Sequence, residues 1–136
     1  MDASAILAHI QEEKGGHIVG EVLIEAPCWI TTVNICEVLT KCCDNGMSVS
    51  ETQNLLQEMG LIVIDFDLEL ALQAAAMRPL TKPIGASLGD RACLALAQRA
   101  MSEGSPIVYT TEHGWTKIKW PFKVVLLRSR HESAKQ

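Results

Sequence analysis

Four carboxylates in this chain stand out by position: Asp2, Glu37, Asp90 and Glu112. Asp2 immediately precedes a helical pattern, and Glu37 lies one turn into another. Asp90 falls in the first turn of a third, and Glu112 follows a short apolar run. Helix N-termini favour carboxylates by their dipole alone, so one such acid carries little information. Four at equivalent places carry more. Brought together, they would repel strongly unless cations sat among them. An all-oxygen set of this kind suits Mg²⁺ or Mn²⁺.

Other polar residues flank these acids. Ser4 is two residues after Asp2 and is placed to bond its carboxylate or to cap a helix. Asn34, three before Glu37, faces the same site or starts its helix. Thr110 and Thr111 precede Glu112 and could orient a carboxylate or water, or simply belong to a strand. Arg91 beside Asp90 is a phosphate contact or a surface partner of that acid. His113 is a candidate acid. Trp115 fits the core better than a nucleobase.

The elements that must position them follow from periodicity. Residues 3–13 have helical spacing, and Gly15-Gly16 ends that helix. Residues 18–26 form a second helix broken by Pro27, and Trp29–Thr32 reads as a strand. Residues 34–43 are helical. Ser48 or Ser50 caps a helix near 50–59. Leu61–Ile64 reads as a buried strand. Asp67 opens a helix to about Met77, and Pro79 and Pro83 follow. Ser87 caps the helix near 88–102. Residues 107–110 are a strand, 113–117 a helical turn and 124–127 the last strand. Short apolar strands alternating with helices predict an α/β fold with a parallel sheet covered on both faces. Sites in such sheets form at the strand C-terminal edge, where all four acids fall.

The chain's 136 residues suit one domain, 1–136. Hydrophobic residues are 48 %, enough for a core and too many for a disordered chain. No apolar run approaches the ~18–20 residues of a membrane span, and no secretory pattern is visible, so the expected location is cytoplasmic. The five cysteines include no CxxC pair and read as reduced, mostly buried thiols. A net charge of −4 speaks against a nucleic-acid binder only until its distribution is seen. Lys14 and Lys41 are the only basic residues before position 70. Beyond position 112, Lys117, Lys119, Lys123, Arg128, Arg130 and Lys135 face Glu132 alone. A cation site and a polyanion-facing edge are therefore compatible with one chain.

The segments MDASAILAHI, NICEVLTKC, GASLGDRACLALA and VYTTEHGW resemble, in that order, the four signature segments of PIN-domain ribonucleases. The bacterial VapC-type toxins of type II toxin–antitoxin pairs are the most similar group. SLGDRACLALA is the most specific stretch. The resemblance implies a three-layer α/β/α sandwich around a short, mainly parallel sheet. It implies a divalent-metal site in which Asp2, Glu37 and Asp90 match the usual acids, with Glu112 where many relatives have Asp. Asp2, Asp90 and Glu112 would hold Mg²⁺ or Mn²⁺, with Glu37 nearby. Lys117, Lys119 and Lys123 would lie along RNA. A VapB-like antitoxin is the implied partner. A homodimer is implied too, and the face bearing Leu55, Leu56 and Met59 belongs to it or to the core. Relatives have an apolar strand before the first Asp, for which Met1 leaves little room. A form with a few more N-terminal residues is therefore expected to be more stable. Two other readings are a degenerate PIN-fold binding module, against which all four acids speak, and a phosphatase-like hydrolase, whose DxD or matching Lys is missing from DASA.

Overall fold

Asp2, Thr31, Ser48, Asp67 and Ser87 share one local device. Each holds an extended backbone and turns a side-chain oxygen onto the amide three residues later. That satisfies a donor that the first turn of a helix leaves unpaired. Five helices start this way in the computed structural model, which describes residues 1–127. They are α1 (Ala3–Ile10), α3 (Thr32–Asp44), α4 (Val49–Glu58), α5 (Leu68–Ala76) and α7 (Leu88–Ala100). The helix between the first two, α2 (Gly16–Glu25), has no side-chain cap and follows Gly15, whose φ is +83°. A Cβ there would collide with the backbone carbonyl of Leu127, so only glycine lets the chain pass.

Two features depart from the sequence reading. The stretch around Pro79 and Pro83, for which periodicity names no element, folds into α6 (Arg78–Thr81) and a 3₁₀ turn, Lys82–Ile84. Pro79 and Pro83 each occupy a first-turn position, where the missing N–H costs nothing. α3 begins at Thr32 rather than Asn34, because Thr31 caps it.

The strands are β1 (Trp29–Thr31), β2 (Ile62–Ile64), β3 (Ile107–Thr110) and β4 (Lys123–Leu126). β1 pairs with β2 and β3 with β4, both in parallel. The expected single sheet is thus two parallel pairs, and Met1 and Asp2 lie between them. The Met1 amine donates to the Trp29 carbonyl (3.0 Å) and the Asp2 amide to the Tyr109 carbonyl (3.4 Å).

Alternation along the strands assigns the layers. Val108 joins a cluster with Leu70, Leu94 and Trp115, while Tyr109 packs on one with Ile6, Val19 and Val38. Helices therefore cover both faces, giving three α/β/α layers. β2 corrects one expectation. It was read as buried, yet Ile62 and Val63 are 42 % and 50 % exposed, because β2 pairs only with β1 among the described residues.

Trp115 is buried and anchors the second cluster, as its size suggested. Its carbonyl also accepts from the Trp120 indole (2.9 Å). Trp115→Ala is expected to cost about 3–5 kcal/mol, read as a lower urea midpoint.

Candidate functional site

Asp2 is only 2 % exposed, and its carboxylate is held by neutral donors alone. The Ala5 amide and the Ser4 hydroxyl reach Oδ1 at 2.9 and 2.8 Å. Thr110 Oγ1 donates to Oδ2 at 2.7 Å. Thr110 Oγ1 in turn accepts the Glu112 amide (2.9 Å), and Ser4 Oγ accepts the Thr111 amide (3.0 Å). The start of α1 and the end of β3 are thereby knitted together through one carboxylate. Burial pushes the Asp2 carboxyl above its ordinary value of 3.8, against the lowering effect of Thr110, Ala5, Ser4 and the Met1 ammonium.

Glu37 is positioned by Asn34, which is itself buried. Asn34 Nδ2 donates to Glu37 Oε1 (2.8 Å) and to the Gly89 carbonyl (3.0 Å). Its Oδ1 accepts from Thr31 Oγ1 (2.8 Å), which fixes the amide's orientation. This one amide ties α3 to the first turn of α7. Burial raises the Glu37 carboxyl, Asn34 opposes it, and the charge of Asp90 raises it further.

Asp90 sits at the third position of α7 in a reciprocal cap with Ser87. The Ser87 amide donates to Asp90 Oδ2 (2.9 Å), and the Asp90 amide to Ser87 Oγ (3.2 Å). The same turn carries Gly89, a residue the sequence reading missed. A Cβ on Gly89 would strike the Glu37 carboxylate. The signal was a glycine in the first turn of an otherwise strong helix.

Asp2, Glu37 and Asp90 share a neighbour. Burial pushes the Cys93 thiol up to about 12, and the charges of Asp2, Asp90 and Glu37 all add to it while the Met1 ammonium opposes them. Cys93, one turn along α7 from Asp90, thus feels the charge of three of the four predicted acids. Among the described residues no Lys or Arg side chain pairs with them. Glu112 is exposed and enters the group through its backbone link to Thr110.

The donor chemistry suits a hard divalent cation. Asn34 engages one oxygen of Glu37 and Ser87 one oxygen of Asp90, leaving each acid a second oxygen for a ligand's role. As the side chains stand, no three His, Cys, Asp or Glu among the described residues are gathered closely enough to hold one ion.

Arg91 is not brought to the acids. Its Nη1 donates to the Ala74 carbonyl (3.1 Å), fastening α7 to α5. Lys117, Lys119 and Lys123 are exposed in the segment following Glu112. Arg128, Arg130 and Lys135 lie outside the described residues. Cys28, Cys42 and Cys93 are buried, whereas Cys36 and Cys43 are exposed. Leu56 is buried and Leu55 36 % exposed, so that face divides between core and surface.

The PIN domain family matches residues 1–121. No curated protein and no solved structure matches the chain.

Two expectations follow. Raised carboxyls make folding favour the protonated form, so their contribution is present at low pH. It is lost as pH rises from the unfolded values, near 3.8 and 4.5, through the higher folded ones. With chelator present, the melting temperature of the parent should therefore fall more steeply above pH 5 than that of an Asp2→Asn, Glu37→Gln double variant. Parallel pH profiles would contradict it. Separately, Gly89→Ala should leave the fold intact, since alanine suits a helix and Glu37 can swing aside. The displaced carboxylate should weaken Mn²⁺ binding by calorimetry about tenfold or more.

Proposed function

We propose that this chain, which belongs to the PIN-domain family, is a divalent-metal-dependent endoribonuclease and the toxin of a toxin–antitoxin pair. The family consists broadly of metal-dependent nucleases. RNA as substrate and the toxin role are the finer reading. The observation that supports it is that Asp2, Glu37 and Asp90, each at least partly buried near a strand end or a helix start, are hydrogen-bonded by neutral donors alone among the described residues. Partly buried carboxylates without a basic partner are costly unless a cation completes them.

Asp2, Asp90 and Glu112 would hold Mg²⁺ or Mn²⁺, with Glu37 beside them. A bound divalent ion polarises a phosphate and lowers the pKa of water at neutral pH. The chain's own residues do the positioning. Thr110, Ser4 and the Ala5 amide fix Asp2 so that it cannot turn away. Asn34 fixes Glu37 against the first turn of α7. Ser87 holds Asp90 by one oxygen. Lys117, Lys119 and Lys123 supply positive charge for the RNA backbone, which makes binding salt-dependent. The net charge of −4 is compatible with this, since cations in the pocket offset its acids.

A toxin needs restraint. A VapB-like antitoxin would lay a helix or extended tail near the acids, and a guanidinium from it would pair with carboxylates that lack a cation. A cytoplasmic homodimer completes the reading, and no described helix is long and apolar enough to cross a membrane.

Purified protein incubated with total RNA and Mg²⁺ or Mn²⁺ should cut it, and chelator should stop the cutting. Asp90→Asn should lower the rate roughly 100-fold or more, each ~1.4 kcal/mol of lost transition-state stabilisation being tenfold. Undiminished cleavage by that variant, or in chelator, would sink the assignment. Binding without cleavage would favour the degenerate module, and phosphate release from small esters the phosphatase.

A further inference from the structure

Surface lysines hold a polyanion by charge but do not select its form. The segment joining β3 to β4 adds something that does. From His113 to Leu127 there is no Asp or Glu, and Lys117, Lys119 and Lys123 are all exposed. Among the described residues no carboxylate pairs with any of the three. Trp120 stands between Lys119 and Lys123.

The Trp120 ring is fixed from the inside. It stacks on Phe122 with centroids 5.5 Å apart and planes 16° from parallel. Its Nε1 donates to the Trp115 carbonyl (2.9 Å). Phe122 is buried and Trp120 only partly so, which makes the indole the outer member of the stack. One face is taken by Phe122 and the N–H edge by Trp115, so solvent meets what remains of the ring. With its only polar atom satisfied internally, that remainder offers π surface alone. Pro121 restricts the backbone of the residue before it. An indole held by a stack, a hydrogen bond and a stiff backbone loses little freedom when a second planar group lies on it.

The strand register shows where this ring lies along the molecule. Ile107 pairs with Lys123 and Thr110 with Leu126. The chain therefore leaves the acidic edge after Glu112 and has returned to the opposite end of β3 by Lys123. Lys117, Lys119, Trp120 and Lys123 follow one another along that return. Each lysine is within three residues of Trp120, at most ~10 Å of chain. We infer that this return segment is a seat for single-stranded nucleic acid, with one base stacked on Trp120 and the neighbouring phosphates on the three lysines. A duplex keeps its base faces stacked on one another and has none to give. An acidic peptide matches the lysines but leaves the indole uncovered. Stacking on an aromatic ring tolerates any base, so the seat selects strandedness and not sequence. The inference rests on the reading of RNA as substrate and adds that the RNA is unpaired where it crosses this segment.

A 2′-O-methyl oligouridylate of about eight nucleotides, mixed with the full chain in chelator, reads binding without metal or cleavage. Carrying one 5-iodouracil base, it should cross-link on irradiation to Trp120. Trp120→Leu should weaken binding roughly 5- to 100-fold, and Trp120→Phe, which keeps a ring, should recover most of it. Lys119→Ala should leave the melting temperature unchanged and make the salt dependence shallower by about 0.7 in log–log slope. The same oligomer annealed to its complement should bind about tenfold more weakly or worse. Adducts confined to other residues would overturn the inference, and because they are read on the parent chain this holds even where Trp120→Leu does not fold. Duplex binding as tight as single-strand binding would overturn it too. So would equally tight binding of an oligoglutamate peptide, which would name an acidic protein as the occupant. The nuclease reading fails separately. RNA cut in Mg²⁺ with no adduct at Trp120 sinks this inference alone, whereas an adduct there without any cleavage sinks the nuclease and leaves the seat.

Discussion

The rest of the structure depends on the Asp2 carboxylate, an anion buried where the two strand pairs meet. It caps α1 through the Ala5 amide and takes a hydroxyl from the end of β3. Its backbone amide reaches the same strand at Tyr109. Burying a charge without a partner costs several kcal/mol, and hydrogen bonds from neutral groups recover only part of it. Three such bonds around one carboxylate show a fold organised to keep this anion in place and not merely to tolerate it. An apolar residue of similar size would remove the desolvation cost but would leave Ala5, Ser4 and Thr110 without their acceptor.

The same logic extends to the neighbouring acids. Glu37 could reach solvent by a small rotation, yet Asn34 holds it against α7, where Gly89 makes room for it. Asp90 raises the Glu37 carboxyl, and all three acids bear on Cys93. Carboxyls pushed up chiefly by burial, as at Asp2 and Glu37, cost stability unless something is gained when they ionise. Such groups near the strand ends of an α/β sheet point to function for that reason.

Much of this was legible in the chain. Asp67 and Ser87 announced their helices, and Asp2, just before α1, and Asp90, in the first turn of α7, stand where the helical spacing put them. What remained hidden depended on three-dimensional neighbours. The role of Gly89 is defined by a side chain 52 positions away, and no local pattern encodes that distance. Arg91 follows Asp90 directly and so reads as its partner, but successive helical residues point in different directions, and its guanidinium reaches α5 instead. The apolar run at 61–64 reads as buried, yet exposure in a sheet depends on strand order, which periodicity does not contain. Pro79 and Pro83 name no element by themselves, because their first-turn tolerance appears only once the start of α6 is known.

A divided sheet raises the question of how the site stays assembled. A carboxylate at a strand end is ordinarily placed by the strand behind it, whose ladder bonds fix its height and direction. Here Met1 bonds one strand pair and Asp2 the other. The compensation lies in the number of independent anchors on Asp2. The Tyr109 carbonyl fixes its height, the Ala5 amide its rotation about the helix axis, and Thr110 the plane of its carboxylate. Glu37 is held without a strand, because Asn34 ties it to the Gly89 carbonyl in the first turn of α7, the turn that also carries Asp90. The acidic edge is thus held from its helical side.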